Sequence, residues 1–137
     1  MKYVLDTNAI SAFMQGDAAV VAAVERRAPG DVAIPAPAAA EIAYGIARLP
    51  PSRRRKRLEE AFEAVRSTFS RVSWTEAVTD AFGAIKAALE RRGARLEDFD
   101  IAIAAHALAA NSVLVTANVR QMSRIAGLQV EDWAARD

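Results

Sequence analysis

Cysteine is absent from the 137 residues, which excludes disulfide frameworks, thiolate metal sites and cysteine nucleophiles. Histidine occurs once, at His106, so multi-histidine zinc sites are ruled out and any histidine catalysis would rest on that residue. Neither sign of charge prevails: 18 Lys and Arg stand against 17 Asp and Glu, a formal net charge of +1. Bulk charge therefore does not mark the chain as binding nucleic acid or a membrane surface. No apolar run approaches the ~18 residues of a membrane span. The opening Met1-Lys2-Tyr3-Val4-Leu5-Asp6 meets an acid after three apolar residues, unlike a secretory signal. The expectation is a soluble, cytoplasmic protein with no membrane partner.

Large apolar side chains are also scarcer than the 53% hydrophobic content suggests, because 32 residues are alanine. Alanine favours helix but buries little area. The length suits one domain, expected over residues 1–137, that buries roughly 68% of its unfolded surface. The heavier apolar residues concentrate in short segments. Tyr3-Val4-Leu5, Val32-Ala33-Ile34 and Val113-Leu114-Val115 are apolar throughout rather than alternating, as central strands covered on both faces should be. Arg71-Val72-Ser73 and Leu128-Gln129-Val130 are weaker strand candidates.

Helical patterns lie between them. Residues 17–27 place Val20, Val21 and Val24 on one face, with Asp17 as cap; residues 38–49 carry Ile42, Ile46 and Leu49 and stop at Pro50-Pro51. Residues 52–69 repeat Leu58, Phe62, Val65 and Phe69 behind a Ser52 cap. Residues 75–92 repeat Val78, Phe82, Ile85 and Leu89 between Thr75 and Gly93. Residues 98–110 form the most apolar pattern, expected to be a buried central helix opened by an Asp98 cap. Strands spaced by helices predict an α/β fold, a three-layer α/β/α sandwich with a mostly parallel central sheet.

Ligands of parallel sheets gather beyond the carboxyl ends of the strands, and the notable polar residues fall there. Asp6-Thr7-Asn8 follows the first strand, Glu41 lies early in the helix after the second, Asp98 and Asp100 open the buried helix, and Thr116-Ala117-Asn118 follows a later strand. Each has an ordinary reading as a cap or a solvated residue. Glu41, however, stands among Ala38, Ala39, Ala40, Ile42 and Ala43, where a carboxylate needs a reason. Carboxylates converging on one rim repel and raise one another's pKa unless a cation neutralises them. Oxygen-only ligands favour Mg²⁺ or Mn²⁺, ions that activate water and offset charge on a phosphodiester.

Taken in order, Val4-Leu5-Asp6-Thr7-Asn8, Glu41-Ile42-Ala43-Tyr44-Gly45-Ile46, residues 100–107, Leu114-Val115-Thr116-Ala117-Asn118 and Gly127-Leu128-Gln129-Val130-Glu131-Asp132-Trp133 resemble the PIN-domain ribonucleases. Among those, the chain is similar to the VapC-type toxins of toxin–antitoxin pairs, over nearly its whole length. The resemblance implies a Mg²⁺-dependent endoribonuclease, with Mn²⁺ able to substitute, neutralised by a cognate antitoxin and forming a homodimer. It assigns Asp6, Glu41 and Asp100 as catalytic, metal-binding acids. Asn118 sits where many relatives carry a fourth Asp, and an amide brings no charge. Thr7, Asn8, Asp98, Thr116 and Asn118 are expected as weak ligands or as groups that orient the acids. A haloacid-dehalogenase-type phosphatase also opens with an acid after its first strand, but Asn8 occupies the position where that chemistry needs a second Asp. A non-catalytic interaction module on the same fold is the other alternative, kept open by Asn118.

His106, among Ala and Leu, is expected in the core, as are Trp74 and Trp133 in the core or at its edges. Tyr44, Ile46, Leu49, Leu58 and Phe62 suit a hairpin of helices, which the resemblance links to antitoxin docking and dimerisation. Arg91, Arg92 and Arg95 form a small basic patch near the acids at 98 and 100. The net charge hides an asymmetry: residues 48–71 hold eight basic groups against three acids. Arg53, Arg54, Arg55, Lys56 and Arg57 at a helix start oppose the macrodipole, so helix stability does not explain them. RNA phosphate, an acidic partner segment and plain solubility are the candidate reasons. If phosphate is the reason, neutralising residues 53–57 weakens RNA binding and flattens the slope of log affinity against log salt; unchanged binding in a salt titration returns the run to solubility.

Overall fold

The computed structural model describes residues 2–134, so the expected domain limits at 1 and 137 lie outside the described residues. Strand β1 (Tyr3–Leu5) ends at Asp6, whose carboxylate caps helix α1 (Thr7–Met14). Gly16, at φ +79°, makes the left-handed turn into α2 (Ala18–Glu25), and Asp17 accepts the Ala19 and Val20 N–H groups at its start. A single 3₁₀ turn at Pro29–Asp31 leads into β2 (Val32–Pro35). Helix α3 (Ala36–Ala47) follows at once, because Pro37 in its first turn gives up an N–H that has no helical partner anyway. Ser52 caps α4 (Arg53–Thr68) through the Arg55 N–H, and β3 (Ser70–Val72) follows. Thr75 caps α5 (Glu76–Arg91), and Gly93 at φ +68° turns the chain out of it. Helix α6 (Asp98–Ala109), β4 (Val113–Val115), the short α7 (Val119–Met122) and β5 (Val130–Glu131) complete the order.

The five strands form one sheet in the order β3-β2-β1-β4-β5, with every neighbouring pair parallel. The sheet anticipated as mostly parallel is thus parallel throughout its described strands, in a three-layer α/β/α sandwich. The three wholly apolar segments are the three inner strands, and the two weaker ones are the edges. This is the burial order expected, since inner strands are covered on both sides and edges are not. Both edge strands shift by a residue or two from the anticipated segments, because hydrogen bonding to the neighbour rather than apolarity sets their limits.

Helix α6 is the apolar centre. Every residue from Ile101 to Ala107 is buried, and the helix packs on β1 and β4 as well as on α3 and α5. His106 lies fully inside, as expected. Its Nδ1 donates to the Ala102 carbonyl at 2.9 Å, while Nε2 has no hydrogen-bond partner, so the residue is only half satisfied. Burial lowers its pKa and holds the ring neutral, against smaller opposing effects of the Ala102 and Ser73 backbone. Trp74 stands edge-on to it, with ring centroids 5.7 Å apart.

One correction follows. The cap position of α6 belongs to Glu97, and Asp98 is the first helical residue; its carboxylate instead pairs with Lys86 of α5 at 2.9 Å. Trp74 remains 46% exposed, with its indole N–H donated to Thr79, whereas Trp133 is buried. Trp133 fastens the chain after β5. The Arg27 guanidinium lies 4.3 Å from its ring and 4.7 Å from that of Tyr3, and the two rings meet edge to face at 5.1 Å. Arg27 also donates to the Ala23 carbonyl at 2.6 Å. Replacing Arg27 with Ala should cost about 1–2 kcal/mol, the worth of a partly desolvated cation–π contact, read as a lower urea midpoint with an unchanged slope.

Candidate active site

The strand order sets the position of the site. From β1 the chain steps outward to β2 and β3, then crosses back to β4 on the other side of β1. The crevice beyond the carboxyl ends of β1 and β4 lies where the order reverses, the usual ligand position in such sheets. Leu5 pairs in register with Val115, and Val115 with Glu131. Asp6, Thr116 and Asp132 are therefore the residues that follow three adjacent strand ends.

Asp6 is buried at 6% exposure. Its Oδ1 accepts the Ala9 N–H at 2.8 Å, and the Thr116 hydroxyl donates to the same carboxylate. Thr116, itself buried, accepts the Asn118 N–H at 2.9 Å. Burial nevertheless raises the Asp6 pKa, helped by the charges of Glu41 and Asp132 and opposed by these two hydrogen bonds. Glu41, half-buried on α3, accepts a short hydrogen bond from the Thr7 hydroxyl on α1. Asp100, half-buried in the first turn of α6, has its pKa raised by burial and then by Glu41, Asp6 and Glu97. Three acids far apart in sequence thus act on one another as charges. None of them is in an ion pair with Lys or Arg among the described residues.

Chemically, the donor set suits a hard divalent cation, being partly desolvated carboxylate oxygens whose mutual repulsion a cation would relieve. Among the described residues, however, no three His, Asp or Glu side chains are already gathered at ligating positions. The hydrogen bonds hold Asp6 against α1 and Thr116, and Glu41 against Thr7.

The other residues anticipated for the site divide. Thr7 and Thr116 contact the acids directly. Asn118 gives its side-chain N–H to Gln121 at 2.7 Å, Asn8 is exposed, and Asp98 is tied to Lys86. Asp132 was not singled out as a site residue by its sequence. It looks like a turn residue, and it is one: its Oδ1 accepts the Ala134 N–H at 2.9 Å. Only the register of β5 reveals that its charge acts on Asp6. The basic run occupies the exposed start of α4, where Arg55 donates to the Leu49 carbonyl and pairs with Glu59. Arg54 and Arg57 line a separate cleft of about 340 Å³ with Met14 and Gln15 of α1. A larger cleft of about 570 Å³ opens beside the acids and is lined by Asp100, Phe99, Arg95 and Gln121.

A family model described as PIN domain matches residues 3–128. The chain is 29% identical over 134 residues to the tRNA(fMet)-specific endonuclease VapC of Shigella flexneri, covering 98% of this chain and 99% of that one. It is 28% identical over 102 residues to ribonuclease VapC2 of Rickettsia felis, 74% of each chain. Among solved structures, VapBC2 from Rickettsia felis bound to a promoter DNA fragment aligns over 97% of this chain and 99% of that one, with TM-score 0.87 and 27% identity. DNA-bound VapBC from Salmonella typhimurium aligns over 97% and 98%, with TM-score 0.88 and 26% identity.

The raised pKa values carry a sign. A carboxyl whose pKa is higher folded than unfolded makes the native state bind more protons than the unfolded state, so stability falls as pH rises through the interval above the ordinary value of 3.8. Asp100→Asn removes that loss. Without divalent cations the variant should melt above the wild type at pH 7, and the gap should close as the pH falls below 4. A lower melting temperature for the variant at pH 7 would contradict the repulsion.

Proposed function

Because the chain belongs to the PIN domain family, we propose that it is a metal-dependent endoribonuclease of the VapC type, a toxin held in check by a cognate antitoxin. The observation that carries this reading is the electrostatic meeting of Asp6, Glu41 and Asp100 at the topological switch point. Asp6, Glu41 and Asp100 would hold the cation, Mg²⁺ with Mn²⁺ able to replace it. When bound, such an ion supplies Lewis-acid stabilisation of phosphodiester charge and acidifies water.

The chain's own groups do the positioning. The Ala9 N–H and the Thr116 hydroxyl fix the Asp6 carboxylate. The Thr7 hydroxyl fixes Glu41, leaving it oriented to take the proton of the water that attacks phosphorus in line. The P–O bond to the leaving ribose oxygen breaks as the new P–O bond forms, so no side chain becomes covalently linked to the substrate. Asp132 adds a further negative charge beside Asp6, where Asn118 supplies none. The remaining parts of the reading are a cytoplasmic site of action, a homodimer, and antitoxin docking near the α3–α4 hairpin. There Tyr44 stands 69% exposed while Ile46 and Phe62 are buried.

Purified protein incubated with total RNA and Mg²⁺ should generate discrete new ends. Chelation with EDTA should abolish them, and Asp6→Asn or Asp100→Asn should lower the rate by about 10²-fold or more, the scale of losing a key charge-stabilising group. End mapping reads the result. Equal cleavage by the wild type and Asp6→Asn would sink the assignment.

A further inference from the structure

The first turn of α6 sends three consecutive side chains to three different fates. Asp98 is tied to Lys86 on α5, Asp100 belongs to the acid cluster, and Phe99 between them remains 47% exposed. From Ile101 to Ala107 the same helix is completely buried, so the exposure of Phe99 is not a shortage of core. Phe99 lines the cleft of about 570 Å³ that Asp100 also lines; Arg95 on the loop before α6 and Gln121 on α7 share its walls with Lys86 and with the carboxyl groups of Glu90, Glu97 and Asp98. Gln121 has its side-chain carbonyl occupied by the Asn118 amide, which fixes that side chain in the cleft wall. An exposed aromatic ring, a guanidinium and an amide thus lie in one polar cleft that shares Asp100 with the candidate phosphodiester-cleaving site.

We propose that this cleft is the nucleotide subsite next to the scissile phosphate, in which an unpaired RNA base stacks on Phe99 while Arg95 contacts the adjoining phosphate. The inference rests on the nuclease reading above and adds how the substrate is gripped. Stacking suits single-stranded RNA because unpaired bases expose their π-faces, and aromatic platforms hold them with little regard to sequence. Arg95 supplies the charge such a platform requires beside it. The cleft volume suits a nucleotide, lying within the usual ~300–1,000 Å³ of small-ligand sites.

Full-length Asp6→Asn protein, used so that RNA is not consumed, is titrated against a fluorescein-labelled single-stranded RNA 12-mer of mixed sequence and followed by anisotropy. Adding Phe99→Ala should weaken binding roughly 5- to 100-fold, the worth of one base–aromatic stack, whereas Phe99→Trp should retain it. RNA should also quench the emission of the Phe99→Trp protein more than that of its Phe99 parent, which carries only Trp74 and Trp133. In the otherwise wild-type enzyme, Phe99→Ala should raise KM with little change in kcat. Melting curves check that each variant is folded, as expected for a half-exposed position. Equal RNA affinity with and without Phe99 overturns the proposal, and so does loss of affinity confined to an antitoxin partner. If the wild type cuts RNA and Asp6→Asn does not, yet Phe99→Ala binds and cuts normally, only the subsite fails. If the wild type cuts no RNA, the nuclease reading fails first.

Discussion

Desolvation of carboxylates, reinforced by their mutual repulsion, is the constraint around which the site is arranged. Asp6 is almost inaccessible and feels the charges of Glu41 and Asp132, and Asp100 feels both Asp6 and Glu41. Isolated, such a set would neutralise itself by taking up protons. Hydrogen bonds hold it instead: the α1 N-terminus and Thr116 on Asp6, and Thr7 on Glu41. Part of the cost remains, since the pKa values of Asp6 and Asp100 are both raised. The site is therefore strained electrostatically without being strained in its backbone: positive φ among non-glycine described residues occurs only at Asn111, in the turn after α6.

The parallel sheet makes this convergence possible. Parallel strands end on the same side, so the residue after β1 lies on the same rim as those after β4 and β5, more than a hundred positions later in the chain. The apolar α6 brings Asp100 to the same rim, and α3 brings Glu41. At the far end of the chain, Trp133 is caught by Arg27 and packed on Tyr3. That anchor holds the turn that carries Asp132, whose charge acts on Asp6.

Much of the architecture was legible because its signals are local. Wholly apolar triplets marked the inner strands, Ser52 and Thr75 marked helix starts, and Gly93 marked a helix end. Where the reading failed, a long-range partner decided the outcome. Asp98 has the right chemistry for a cap, yet Lys86 twelve residues earlier claims it. Trp74, expected in the core or at its edge, lies at the edge, packed against His106 with nearly half of its surface in solvent.

By itself the sequence determined the chemistry available: without cysteine and with a single histidine, carboxylates were the credible catalytic groups, their places after strands and at helix starts offered Asp6, Glu41, Asp98 and Asp100, and the resemblance to PIN-domain ribonucleases selected Asp6, Glu41 and Asp100. Only the tertiary structure decided which other groups join them. Asp132 enters through the register of β5, which lets its charge act on Asp6, and Phe99 lines a cleft with Asp100; Thr116 was already anticipated, and the structure adds that its hydroxyl donates to Asp6. Local pattern encodes how a residue folds with its neighbours in the chain. Repulsion, desolvation and cleft shape depend on distances between elements, and packing alone sets those.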